Sequence, residues 1–173
     1  MRGIAYPLLV VVALAGMLVY IAHASGQADE EAAPTFGIKI PPGYRDWKLI
    51  SVAHEEGNLN DLRALLGNDV AIKAYRQGKL PFPDGTIIAR LAWSYVPSEE
   101  NNKAFGRAQS FVAGEVTNVQ FMVKDSNKYA ATGGWGFAQF KYGKPDPSAA
   151  LKTCFACHEP AKAGDFVFTH YAP

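Results

Sequence analysis

Cysteine is scarce in this 173-residue chain: there are two, Cys154 and Cys157, and both fall in one pentapeptide, CFACH (154–158). There is no second CxxC. Beyond residue 24 only His54, His158 and His170 could join the two thiols, a poor set for the four-ligand tetrahedron of structural zinc. Methionine is rarer still past that point, where Met122 stands alone and nothing after the pentapeptide is methionine. A surplus of one charge is also missing. Past residue 24 the chain holds 16 basic and 16 acidic residues, with no Lys/Arg cluster to argue for nucleic acid or anionic lipid as a partner. Internal repeats and low-complexity tracts are absent, which excludes solenoid and fibrous classes.

What is present begins with a long apolar run. MRG is followed by 19 apolar residues, Ile4 to Ala22, and by a small-x-small site at Ala22-His23-Ala24. Residues 1–24 therefore read as a signal peptide. The run is also long enough to span a bilayer, so a retained N-terminal anchor stays open, and only in that form would the protein touch the membrane. Either way the remainder is expected in the periplasm. Residues 25–42 (SGQADEEAAPTFGIKIPP) are acidic, then Pro-rich, and read as a flexible lead-in from which Phe36 and Ile38 can reach the body. Residues 43–173 suit one domain.

Within that domain WKLISVAHE (47–55), IIARLAWSY (87–95), NVQFMVK (118–124) and WGFAQF (135–140) carry strand signals. In the second, Ile87, Ala89, Leu91, Trp93 and Tyr95 share one face, and Ile88, Arg90 and Ala92 the other. Leu62–Leu66 is short enough to be strand or helix. Asn68 or Asp69 can cap a helix over Val70–Gln77 that Gly78 ends, and PFPDGT (81–86) is a turn. DSNKYAATGG (125–134) has an Asp125/Ser126 cap and closing glycines, PSAALKT (147–153) is a helical turn running into the cysteines, and FVFT (166–169) is a last strand-like run. The expected fold is α+β: an antiparallel sheet of about four or five strands with short flanking helices, since the gaps are too short for parallel crossovers.

C-x-x-C-H is a c-type haem attachment signal. Two thiols three positions apart on a helical turn can add to the two vinyl groups of one porphyrin edge, and the adjoining His158 is then directed at the iron. Covalent attachment suits an exported protein, because a cofactor held only by packing can be lost. The competing readings are a disulfide or a thioredoxin-like pair, but a thioredoxin CxxC follows the first strand of a βαβ unit, and this one follows all the main strand-like runs. Met122 lies in a strand pattern, where core filling is the default for methionine.

The pentapeptide together with YRDWKLISVA, AYRQGKLPFPDGT, VKDSNKYAATGGWGF and CFACHEPAKAGDFVFTHY resembles the cytochrome P-460 family and its relative cytochrome c′-beta over about residues 40–173. The resemblance implies an antiparallel sheet, a homodimer, one five-coordinate haem c with His158 proximal, and a distal side open to a small ligand. Members with the P-460 chromophore also carry a lysine joined to the porphyrin. At that place in DGTIIARLAW this sequence has Arg90, a poor nucleophile that stays protonated, while Lys73 and Lys79 are off-register.

Phe121, Trp135, Phe137 and Phe140 are the candidates to wall a distal pocket, although aromatics on strands equally supply core. An apolar wall favours NO or CO, and Arg90 as a distal donor would favour peroxide or N-oxide chemistry. Its ordinary alternative is a pair with a carboxylate such as Glu55. His54 and His170 are the other possible axial ligands. The resulting expectation is an exported mono-haem c protein that binds or converts small nitrogenous ligands, NO or hydroxylamine, and passes electrons to a partner cytochrome. Its rival is a plain electron carrier with a six-coordinate haem.

Overall fold

The computed structural model describes residues 37–146 and 151–172. The expected export segment, Phe36 and the first part of the 147–153 turn lie outside the described residues. Among these residues six strands form one sheet: β1 (Lys48–Glu55), β2 (Asp61–Gly67), β3 (Ile87–Pro97), β4 (Phe111–Lys124), β5 (Trp135–Lys141) and β6 (Lys144–Pro145). They lie in chain order, every neighbour antiparallel. This is the α+β sheet expected, with one more strand. The sixth is two residues long and is made by a tight hairpin in which Tyr142 and Gly143 both have positive φ, 51° and 75°, as type I′ turns require.

Among the described residues three α-helices punctuate the sheet: α1 (Asp69–Arg76), α2 (Glu99–Phe105) and α3 (Leu151–His158). Asn68 caps α1, its Oδ1 accepting from Ala71 N at 2.9 Å, and the ambiguous 62–66 run is strand β2. α2 was not expected. FVFT makes no ladder: Asp165 and Phe166 both take left-handed backbone (φ 55° and 64°), so the run begins in a turn, and residues 167–169 join no strand. Among the described residues no helix is long and apolar enough to cross a membrane.

The period-2 pattern divides the core into two layers. Leu65, Ile88, Trp135 and Phe137 face α1 and the C-terminal segment, packing with Ile72, Phe166 and Val167. Leu66, Ala89, Leu91, Phe121, Ala138 and Phe140 face the other way, and Ile38, Ile40, Tyr44 and Trp47 cover them. The end of the lead-in thus joins the core through Ile38, 8% exposed.

Candidate functional site

Over the first of these faces lies a cavity of about 540 Å³, within the ~300–1,000 Å³ range of ligand sites. Cys154, Cys157 and His158 all line it. They sit on α3 at i, i+3 and i+4, the spacing that puts side chains on one helical face. From the sheet, Ile88 and Arg90 (β3), Gln120 and Met122 (β4) and Phe137 and Gln139 (β5) line the same cavity. The pairings Ile88↔Met122↔Phe137 and Arg90↔Gln120↔Gln139 make two cross-strand rows, one apolar and one polar.

His158 is held in one tautomer. Its Nδ1 lies 2.7 Å from the Phe166 carbonyl oxygen. A carbonyl only accepts, so Nδ1 carries the proton and Nε2 keeps its lone pair, as in metal-ligating histidines oriented by a backbone carbonyl. Burial lowers the imidazole pKa, opposed in part by the Phe166 bond, so the ring is neutral at pH 7. Phe137 and Phe168 hold it, with ring centroids 5.2 and 5.1 Å away.

The two thiols are free. Cys154 is half-buried and Cys157 exposed. Burial, then the neighbouring Cys157, pushes the Cys154 thiol pKa up, which keeps it an uncharged thiol. Two free thiols and a neutral imidazole on one helical face, opening on one cavity, are the donor set that a covalently attached haem requires, and the residues present fit that group.

Arg90 lines the cavity, yet its charge is already matched. Its Nη2 pairs with Asp61 Oδ2 and its Nη1 donates to Asn118 Oδ1 at 2.8 Å. Glu55, the expected partner, pairs instead with Arg63 Nη1 at 3.1 Å, and Arg63 Nη2 reaches Asp61 Oδ1 at 2.8 Å. Asp61 and Arg63 alternate onto the same face of β2 as Leu65, the residue opposite Arg90, and the buried Asp61 carboxylate accepts from both guanidiniums. Burial and the neighbouring Arg63 lower the Arg90 pKa, against the pull of Asp61 and Glu55.

Of the four candidate wall aromatics, Phe137 has its ring at the site. Phe140 lies on the opposite face, and so does the Phe121 ring, 5.2 Å from Tyr44 and 5.8 Å from Phe140. Phe121 meets the cavity only along its strand, between Gln120 and Met122. Trp135 shares the Phe137 face but is fully buried beside the cavity, its Nε1 donating to Asp165 O at 2.8 Å. His54 stacks on Tyr95 at 3.9 Å and, like His170, does not line the cavity, whereas Met122 does. No lysine is among the described side chains lining it. Sequence reasoning missed Asp61, Lys124, Asp165 and the Phe166 carbonyl. For Lys124 one signal existed: it shares the inward face of Gln120 and Met122, where an unpaired charge is not tolerated.

The family model described as Cytochrome P460 matches residues 41–169, and the chain belongs to that family. No curated protein matches the chain.

Proposed function

We propose that this member of the cytochrome P-460 family carries one haem c, with Cys154 and Cys157 as thioether attachment points and His158 Nε2 as proximal ligand. The observation that carries the reading is the convergence of the two thiols and Nε2 on one cavity while Nδ1 is committed to Phe166. Haem iron, when bound, supplies a vacant coordination position for the nitrogen of NO or hydroxylamine and an outlet for electrons. The chain's own side chains do the rest. Ile88, Met122 and Phe137 offer an apolar surface that excludes water and suits a small neutral ligand. Arg90, with its charge matched by Asp61, adds a polar edge beside Gln120 and Gln139. We favour binding or conversion of NO or hydroxylamine in the periplasm, with electrons passed to a second cytochrome and a homodimer as the working form.

The test is expression with c-type cytochrome maturation. The expected product is coloured, heavier by one haem, and keeps its pigment through acidified-solvent extraction. Its ferrous spectrum is high-spin and changes on adding NO, and Cys154→Ala with Cys157→Ala abolishes covalent attachment. A colourless product with the mass of bare protein sinks the proposal. One observation favours a second reading, a six-coordinate electron carrier, because Met122 lines the cavity. That reading requires a low-spin ferrous spectrum that Met122→Leu converts to high-spin.

A further inference from the structure

We propose that Lys124 and Asp165 are a positioning pair for His158, fixing the turn whose carbonyl sets the imidazole tautomer and ring orientation. The inference rests on reading His158 as the proximal ligand. Lys124 Nζ lies 2.8 and 2.9 Å from the two carboxylate oxygens of Asp165, and both side chains are buried, 6% and 9% exposed. A buried pair of this kind is not the economical way to hold a segment down, because apolar side chains of similar volume serve as well or better. Its distinguishing property is direction, and each of its remaining bonds is aimed at backbone around one turn.

Lys124 Nζ also donates to Gly133 O at 3.0 Å, and Asp165 Oδ2 accepts from Phe82 N at 2.8 Å. The Asp165 carbonyl accepts from Trp135 Nε1 at 2.8 Å. β4, the start of β5 and the segment before β3 thus all grip one residue. That residue is the first of two consecutive non-glycine positions in left-handed backbone. Such positions are strained and persist only where the surroundings over-determine them. The second of the two is Phe166, whose carbonyl accepts the His158 Nδ1 proton at 2.7 Å. The chain of contacts runs Lys124, Asp165, Phe166 O, His158. Outer-shell partners of this kind orient a ligand and raise its basicity.

The experiment uses the haem-loaded protein and reads the iron–histidine stretching frequency of the ferrous form, together with the reduction potential. Lys124→Met combined with Asp165→Asn removes both charges and leaves no unpaired buried ion. Asp165→Asn alone is the harsher variant: it still offers an acceptor to Phe82 N but leaves the Lys124 ammonium buried without its counter-charge. Leu91→Ala, in the opposite-face core, lowers stability without touching the turn. In the double variant the stretch should move to lower wavenumber and the potential should rise, as the Nδ1–H bond to Phe166 loosens. Asp165→Asn alone should shift the same way by at least as much, Lys124→Arg, which keeps the pair, should stay near wild type, and Leu91→Ala should keep the wild-type frequency. A wild-type frequency in the charge-removed variants, or an equal shift in Leu91→Ala, overturns the inference and leaves the haem assignment standing. Wild-type protein that takes up no haem overturns both.

Discussion

At the scale of single residues, the site is set by what each polar atom is already committed to. His158 spends Nδ1 on Phe166, Arg90 spends its guanidinium on Asp61 and Asn118, and what remains for chemistry is one imidazole lone pair and two thiols. The lowered His158 pKa gives this a pH signature when no iron holds the lone pair. With a folded pKa below the ordinary ~6.5, the unfolded chain binds the proton first as pH falls. The stability attached to His158 is therefore fully present above ~6.5 and declines as pH drops from there to the folded pKa. In a Cys154→Ala/Cys157→Ala background, which carries no covalent haem, urea unfolding at steps from pH 8 to pH 5 should show that decline, and His158→Gln should flatten it. Equal slopes in the two proteins would refute the assignment. CFACH made the donor residues legible, since the motif's spacing is itself the chemistry. Their partners were not legible, because Phe166 O reaches His158 only through a left-handed turn hidden in a β-like FVFT run.

At the scale of elements, legibility followed amphipathic contrast. β3 was readable because Ile88, Arg90 and Ala92 alternate with residues of the other layer. α2 was not, because EENNKAF has no apolar stripe and buries nothing; it stands on its Ser98 cap and a left-handed Gly106. Turns carry constraints that patterning does not show, and Gly133 is the one most tied to the site. It has φ +66°, and a Cβ there would stand 2.3 Å from Phe166 Cε2. Gly143 has a similar φ, +75°, but open space around it. Gly143→Ala should thus cost only the left-handed penalty, about 1–2 kcal/mol, whereas Gly133→Ala adds overpacking of about 1–3 kcal/mol. Denaturant unfolding of both variants measures the difference. Equal losses would mean that the Phe166 ring moves aside freely, and that the turn holding the His158 acceptor is looser than its contacts imply.

At the scale of the whole molecule, a simple meander leaves the long β3–β4 hairpin extending past its neighbours, with β3 paired to β4 as far as Pro97↔Phe111. Among the described residues its far end carries exposed apolar side chains: Phe111, Val112 and Val116 are 41%, 40% and 37% exposed, and Tyr95 stacks on Phe111 at 4.3 Å. Phe111 and Val112 are consecutive in the strand and point to opposite faces, so both faces of the hairpin end carry exposed apolar side chains, and exposed apolar surface marks interaction sites. The edge strand β1 also exposes Val52 and Leu49, but a register shift between Leu49 and Ser51 interrupts its ladder, the sort of irregularity that blunts an edge against pairing. The proposed homodimer should therefore form through the hairpin end and not through β1. Replacing Phe111 by Glu and Val112 by Lys should shift sedimentation from dimer to monomer while the visible spectrum stays as in wild type, because the cavity is lined from other parts of the sheet. Val52→Lys should leave the dimer intact. Dissociation by Val52→Lys, or a dimer that survives both hairpin substitutions, would move the interface elsewhere.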